Sequence, residues 1–137
     1  MNATKAVKYE KLKEMLKKED VISIISCNTC VRLSETGGEI KMEELAVKLR
    51  NDGFNVRDGF LITMPCQDKY MDSVTITPDI DTLVMLACTS GCANAHMYFP
   101  NKKIIYALED RGMIIVGPAK LSDGTIKMKK TWRRTKK

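Results

Sequence analysis

Histidine is nearly absent from this 137-residue sequence, in which His96 is the only one. No Ser-His-Asp set can be assembled around this one histidine from the sequence pattern. The sequence also has no P-loop and no G-x-G-x-x-G motif, which are the usual marks of phosphate and dinucleotide sites. These absences argue against nucleophilic hydrolysis and against nucleotide-dependent group transfer.

Long hydrophobic runs are also absent. The longest apolar stretches, residues 21–25 and 83–88, are far shorter than the about 18–20 residues of a transmembrane helix. Lysines near the N-terminus interrupt any apolar run that could act as a signal peptide. We therefore expect a cytoplasmic protein without a membrane span.

The excess of positive charge is confined to the C-terminus. The net charge of +6 arises because residues 127–137 contain seven basic and no acidic side chains, whereas the first 126 residues contain 16 basic and 17 acidic ones. Hydrophobic residues make up 44% of the sequence, which is enough for one core at this length. We predict a single folded domain over residues 1–126 and a basic C-terminal tail over residues 127–137.

Apolar strand patterns alternate with helical patterns along the chain. The first predicted strand covers residues 21–26, the second covers residues 54–56 and 60–64 with an interruption at Asp58-Gly59, and the third covers residues 82–87. Residues 103–108 and 113–116 are further predicted strands, and helical periodicity covers residues 5–19 and the stretch after Gly37-Gly38. A turn at residues 122–125 predicts a C-terminal hairpin. The central strands lack the alternation of half-exposed strands, which indicates a parallel sheet. This order predicts an α/β class, a small three-layer domain of Rossmann-like or flavodoxin-like type.

Five cysteines are the unusual feature of the composition. An odd number cannot all pair within one chain, and a reducing cytosol does not favour disulfides. Cys27 and Cys30 follow the first strand of the predicted sheet, Cys66 the second, and Cys88 and Cys92 the third. Because the carboxyl ends of parallel strands share one edge, where open α/β folds bind ligands, we expect the five thiols to converge.

Converging thiols in such a protein indicate a metal site. Thiolates repel one another unless a cation neutralises them, and the C-x2-C spacing of Cys27 and Cys30 lets one loop offer two sulfurs to one centre. Thiolates select zinc or an iron–sulfur cluster, and the spacing does not separate the two. A redox dithiol and inert buried thiols are the other interpretations. An iron–sulfur centre is favoured, because a domain with its own core needs no structural zinc.

The cysteine motifs resemble those of a known family. They occur in the order Ser26-Cys-Asn-Thr-Cys30, Gly37-Gly-Glu39, Pro65-Cys-Gln-Asp68 and Leu86-Ala-Cys-Thr-Ser-Gly-Cys92, followed by Tyr98-Phe-Pro-Asn-Lys-Lys-Ile-Ile-Tyr-Ala-Leu108. Over residues 20–110 this arrangement is similar to the cysteine-rich C-terminal domain, or small subunit, associated with methylenetetrahydrofolate reductase in acetogens and related bacteria and archaea.

The resemblance implies an iron–sulfur subunit that passes electrons to a partner flavoprotein, which itself reduces methylenetetrahydrofolate. The implied ligands of a [4Fe–4S] cluster are Cys27, Cys30, Cys66 and Cys88, with Cys92 replacing one of them or lying beside the cluster. The family often has a third cysteine at the position of Ser34. Fuller members also have a second cysteine-rich segment where this chain has its basic tail. One cluster is therefore expected.

Two smaller features allow alternative interpretations. Gly37-Gly38 is expected to form a tight turn into the following helix, and exposure of its N–H groups to an anion is the alternative. His96 is expected at a surface or otherwise satisfied polar position on a short helix, and a ligand role is the alternative.

From these observations we expect an accessory electron-transfer subunit of a larger oxidoreductase complex of one-carbon metabolism, not a stand-alone enzyme. The basic tail, with Trp132 between Lys130 and Arg133, is expected to dock on an acidic protein surface or, as a second option, on nucleic acid. Two other functions stay open. One is a zinc-stabilised protein- or RNA-binding module, and the other is a thiol or sulfur-transfer protein that uses Cys88 or Cys92.

Overall fold

Two β-sheets and five helices make up the part of the chain that the computed structural model describes, which is residues 1–120, 122–124 and 126–134. The strands are β1 (Asn2–Ala6), β2 (Val21–Cys27), β3 (Asn55–Ile62), β4 (Thr82–Leu86), β5 (Lys103–Tyr106), β6 (Leu108–Lys120) and β7 (Ile126–Arg134). The helices are α1 (Tyr9–Glu14), α2 (Cys30–Leu33), α3 (Glu39–Asn51), α4 (Asp68–Met71) and α5 (Thr89–Tyr98).

The central sheet has four parallel strands in the order β3-β2-β4-β5, which confirms the predicted α/β class. In register, Ile25 of β2 lies between Phe60 of β3 and Met85 of β4. Every residue of β4 is buried, as is all of β2 after Val21. This burial explains why both strands are continuous apolar runs in the sequence.

The strand order creates a switch point between β2 and β4. From β2 the chain crosses to β3 on one side, and from β4 it crosses to β5 on the other side. The connections therefore leave the two central strands in opposite directions. A crevice at the carboxyl ends of such strands is the common ligand position in open α/β sheets.

Helices pack against the central sheet. Helix α3 packs on β2 and β3, with Leu49 buried and Met42, Leu45 and Ala46 partly buried against the core. Helix α5 packs on β5. The part of the chain described by the structure contains no helix that is both long enough and apolar enough to cross a membrane.

A second sheet, antiparallel and in the order β1-β6-β7, starts at the carboxyl edge of the first. Ala107 links β5 to β6, and its N–H donates to the carbonyl of Met85 at the end of β4 (3.1 Å). Strand β1 pairs with residues 108–113 of β6. Helical periodicity predicted a helix over residues 5–19, but only Tyr9–Glu14 is helical, because the residues before it pair with a strand about 100 positions away.

Most of the predicted basic tail belongs to this second sheet. Strand β7 pairs with β6 from Gly112 opposite Arg134 to Lys120 opposite Ile126. The backbone of residues 127–134 is therefore extended and hydrogen-bonded. Residues 135–137, also predicted as tail, lie outside the described residues.

Candidate metal centre

All five cysteines lie at or after the carboxyl ends of the parallel strands, on a surface that we call the cysteine edge. Cys27 ends β2 and Cys30 begins α2. Cys66 lies between β3 and α4, Cys88 immediately precedes α5, and Cys92 is on α5. The topology thus brings three separate cysteine segments to one edge, as the strand pattern predicts.

Hydrogen bonds join the loop after β2 to the loop after β3. The Thr29 hydroxyl donates to the carbonyl oxygen of Thr63 at 2.6 Å, and the Asn28 N–H donates to that of Ile62 at 2.8 Å. The thiol of Cys27 also lies 3.7 Å from the carbonyl oxygen of Thr63. These contacts hold the Cys27 and Cys30 loop beside the start of the segment that contains Cys66.

That segment then runs against α5. The side-chain amide of Asn94 donates to the carbonyl oxygen of Pro65 at 2.9 Å. Gly91 faces the same proline so closely that an added Cβ would lie 3.2 Å from Pro65 Cγ. Because Pro65 immediately precedes Cys66, these contacts hold Cys66 beside the helix that carries Cys92 and starts after Cys88.

Backbone N–H groups converge on the sulfur of Cys27. The N–H of Thr29 donates to Cys27 Sγ at 3.3 Å. Burial raises the pKa of the Cys27 thiol, and hydrogen bonds from the N–H groups of Thr29, Cys30 and Val31 act in the opposite direction. Such a set of amides at a loop-to-helix turn stabilises negative charge on sulfur, whether as a thiolate or as a metal ligand.

Electrostatic interactions connect thiols from all three segments. The pKa of Cys66 is raised by burial, and then by the charges that Cys88 and Cys30 carry when ionised. Burial raises the pKa of Cys92 to about 12, with further contributions from Cys88 and Asp110. The pKa of Cys66 is therefore raised by one thiol from each of the two other segments, whereas the only thiol that raises the pKa of Cys92 is that of Cys88.

The five cysteines are all free thiols, and they differ in exposure. Cys27, Cys88 and Cys92 are buried, and Cys30 and Cys66 are half-buried. Among the residues that the structure describes, no three His, Cys, Asp or Glu side chains form a group that could hold a metal ion. The edge thus collects thiols from three segments without closing them around one point.

Comparison of the chain with protein-family models, with curated proteins and with solved structures gave no match. The resemblance to the methylenetetrahydrofolate reductase-associated domain accordingly stays a prediction.

The antiparallel sheet also contacts the cysteine edge, which the sequence patterns did not indicate. The carboxylate of Asp110 on β6 accepts a hydrogen bond from the N–H of Thr89 at the start of α5 (3.1 Å). Near Cys30, Ser34 Oγ accepts a hydrogen bond from the N–H of Thr4 on β1 (3.1 Å). Ser34 therefore connects the loop after α2 to the second sheet.

The two glycines before α3 and the single histidine have partners within the chain. The N–H of Gly37 donates to the carbonyl of Val31 at 3.1 Å, and that of Gly38 donates to Ser26 Oγ at 2.8 Å. A Cβ on Gly37 would lie only 2.2 Å from Val31 Cγ2, so the pair forms a tight turn rather than an open anion site. His96 is exposed on α5, with Nε2 3.1 Å from the Tyr106 hydroxyl.

Proposed function

We propose that the cysteine edge holds one iron–sulfur cluster of the [4Fe–4S] type and that the chain is an electron-transfer subunit. The proposed ligands are Cys27, Cys30, Cys66 and Cys88. The observation that carries this proposal is the placement of cysteines from three separate segments at the carboxyl ends of the parallel strands β2, β3 and β4. The raised pKa of Cys66, to which Cys88 and Cys30 contribute, is consistent with this placement. Soft sulfur donors from several loops are the typical ligand set of such clusters.

The surroundings of the thiols support a bound cation more than an empty site. Burial raises the pKa of Cys27, Cys66 and Cys92, so these thiols stay protonated near neutral pH when no cation is present. The N–H of Thr29 nevertheless donates to Cys27 Sγ, and the N–H groups of Cys30 and Val31 also act to lower the pKa of this thiol, so the backbone would stabilise a deprotonated sulfur. A metal cluster supplies the positive charge that reconciles these two features.

The choice between Cys88 and Cys92 follows from their neighbours. Cys88 interacts with Cys66 of another segment, whereas Cys92 is fully buried and interacts with Cys88 and Asp110. We therefore assign Cys88 as the fourth ligand. Cys92 lies beside the cluster in this proposal, where it adds an uncharged, polarisable group to the packing.

A bound cluster would accept and release single electrons, and the chain would set the conditions for this. N–H groups near Cys27 would stabilise the ligated sulfur, and the burial of Cys27 and Cys88 would limit access of water. Following the resemblance, we propose a larger redox protein as the partner, in particular a flavoprotein of one-carbon metabolism. The basic segment of residues 127–137 would dock on an acidic surface of that partner.

A serine scan of the cysteines tests the ligand assignment. The full chain and its five Cys→Ser variants would be reconstituted anaerobically with iron and sulfide, and absorbance near about 400 nm would report the cluster. We expect Cys27→Ser, Cys30→Ser, Cys66→Ser and Cys88→Ser to lose most of the absorbance and Cys92→Ser to retain it. Equal retention in all five variants would contradict the proposal.

The same samples distinguish the alternative functions. Stoichiometric zinc, together with loss of the fold on chelation, would favour a structural zinc module. A persulfide or mixed disulfide trapped on folded, metal-free protein would favour sulfur transfer. The raised pKa of Cys92 argues against this thiol as the reactive group of sulfur transfer, because the thiolate is the reactive species.

A further inference from the structure

One face of α5 holds the segment that contains Cys66. Gly91, Asn94 and Tyr98 are spaced by three and four residues, so they share a face of the helix. Each of them contacts the stretch between Pro65 and Asp72. The face therefore forms a continuous docking strip, which we call the α5 clamp.

The contact nearest to Cys66 is made by Asn94. Its amide donates to the carbonyl oxygen of Pro65 at 2.9 Å, and Pro65 is itself fully buried. Proline has no N–H, so the carbonyl oxygen is the only backbone group of Pro65 that can form a hydrogen bond. Removing the amide would leave a buried acceptor without this donor, directly before the cysteine.

The other two residues of the clamp fix the segment on either side of this bond. Gly91 leaves just enough room for the ring of Pro65. One turn beyond Asn94, the Tyr98 hydroxyl donates to the carboxylate of Asp72 at 2.5 Å and lies 3.3 Å from the carbonyl oxygen of Asp68. The clamp thus contacts α4 as well as Pro65.

The same helix holds the other cysteines of this side of the site. Cys88 immediately precedes α5 and Cys92 lies at the end of its first turn, so the clamp determines where Cys66 lies relative to both. The connection between β3 and β4 has only the four-residue α4 as regular structure. Its conformation near Cys66 consequently depends on contacts with other elements.

We propose that Asn94 is a positioning residue for the metal site. It acts through Pro65 and fixes where Cys66 lies relative to Cys88 at the start of α5. The metal-related part of this inference rests on the proposed function, whereas the positioning of Cys66 can be measured without any metal.

Thiol reactivity in metal-free, full-length protein tests the positioning directly. Asn94→Leu removes the donor with little change in size, and iodoacetamide labelling at fixed pH, followed by peptide mass spectrometry, gives a rate for each cysteine. We expect Cys66 to react about 5- to 10-fold faster than in the parent protein, as the loss of one hydrogen bond to a buried carbonyl implies. Cys30, half-buried in another segment, serves as the internal control and should keep its rate.

Two further variants and one control substitution separate positioning from a general loss of stability. Asn94→Gln keeps an amide donor and should restore part of the slow Cys66 labelling. Tyr98→Phe loosens the far end of the clamp and should accelerate Cys66 labelling, whereas Tyr106→Phe removes a hydroxyl that contacts His96 and should not. Unchanged Cys66 labelling in both Asn94→Leu and Tyr98→Phe would overturn the inference.

Reconstitution with iron then links the clamp to the cluster. If the parent protein binds a cluster, we expect Asn94→Leu to change its EPR spectrum or shift its reduction potential, with partial recovery in Asn94→Gln. A normal spectrum and potential in Asn94→Leu would overturn the metal role of Asn94. If the parent binds no iron while Asn94→Leu accelerates Cys66 labelling, the proposed function fails and the positioning of Cys66 by Asn94 stands.

Discussion

The hydroxyl of Thr29 donates a hydrogen bond of 2.6 Å to the carbonyl oxygen of Thr63. This bond joins the loop between Cys27 and Cys30 to the segment that leads to Cys66. Together with the bond from Asn94 to Pro65, it ties the ends of three parallel strands into one surface. The cysteine edge is therefore held by side-chain bonds to backbone carbonyls, and these bonds can be removed one at a time.

Replacing Thr29 by valine removes that bond while keeping the branched shape of the side chain. We expect the free energy of unfolding to fall by about 1 kcal/mol, which corresponds to a decrease of about 3–5 °C in Tm. Thermal unfolding followed by circular dichroism measures the change. Thr75→Val, at an exposed position of another loop, is the matched control and should alter Tm very little. Equal effects of the two substitutions would show that the Thr29 bond contributes nothing.

Metal-free protein should lose stability at alkaline pH because of its buried thiols. Burial raises the pKa of Cys92 to about 12, and it also raises the pKa of Cys27 and Cys66, compared with about 8.5 for an exposed thiol. Above about pH 8.5 the unfolded chain releases protons that the folded chain retains, so rising pH favours unfolding. The stabilising contribution is complete below that pH and disappears as the pH approaches the folded-state values.

The expected slope is at most about 1.4 kcal/mol per pH unit for each such thiol. Thermal melts between about pH 7.5 and 9.5 would measure it, and Cys92→Ala should make the decline shallower. Parallel curves for the parent and Cys92→Ala would show that the thiol of Cys92 ionises as it does in the unfolded chain.

At the opposite edge of the parallel sheet, Lys103 and Asp20 form an ion pair at 2.6 Å. Burial works to raise the pKa of Asp20, but hydrogen bonds from Lys103 and from the N–H of Lys17 outweigh it and lower the pKa. Lys103→Met should therefore destabilise the fold by about 1–2 kcal/mol near neutral pH. Because this pair is far from the cysteine edge in the sheet, iron content should not change.

The pH dependence provides a second test of the same pair. A lowered pKa means that the stabilising contribution is present above about pH 4 and is lost as the pH falls below it. The difference in Tm between the parent and Lys103→Met should accordingly shrink between about pH 5 and pH 3. A difference that stays constant over this range would mean that the loss arises from packing rather than from charge.

Removal of residues 127–137 should affect association more than the metal site. The sheet neighbour of β7 is β6, and the described contacts that hold the cysteine edge come from other elements. We expect the shortened chain to keep its iron content and to elute from a carboxylate-bearing column at lower salt than the full chain. Loss of iron on truncation would show that β7 supports the cysteine edge.

The positions of the cysteines could be predicted from sequence because the strands before them are buried on both faces. The apolar runs of β2 and β4 show in the sequence where each strand ends, and a parallel sheet brings those ends to one edge. Strand β1 could not be found in this way. Its five residues carry no apolar pattern, and its pairing with β6 is remote in sequence.

The residues that hold the site were also hidden from sequence patterns. Asn94 and Thr29 both donate to backbone carbonyls, which every residue possesses, so no complementary side chain marks their partners. Tyr98 bonds the carboxylate of Asp72, but no periodicity connects the two positions. Only the three-dimensional path of the segment around Cys66 makes these contacts visible.

Iron and acid-labile sulfide content, together with EPR spectra, of the full chain purified without oxygen provide the most direct test of the cluster. We predict about four iron and about four sulfide per chain, and an EPR signal of a single [4Fe–4S] centre on reduction. Folded protein that contains no iron or sulfide after anaerobic purification and reconstitution, or that contains stoichiometric zinc instead, would contradict an iron–sulfur function for the cysteine edge.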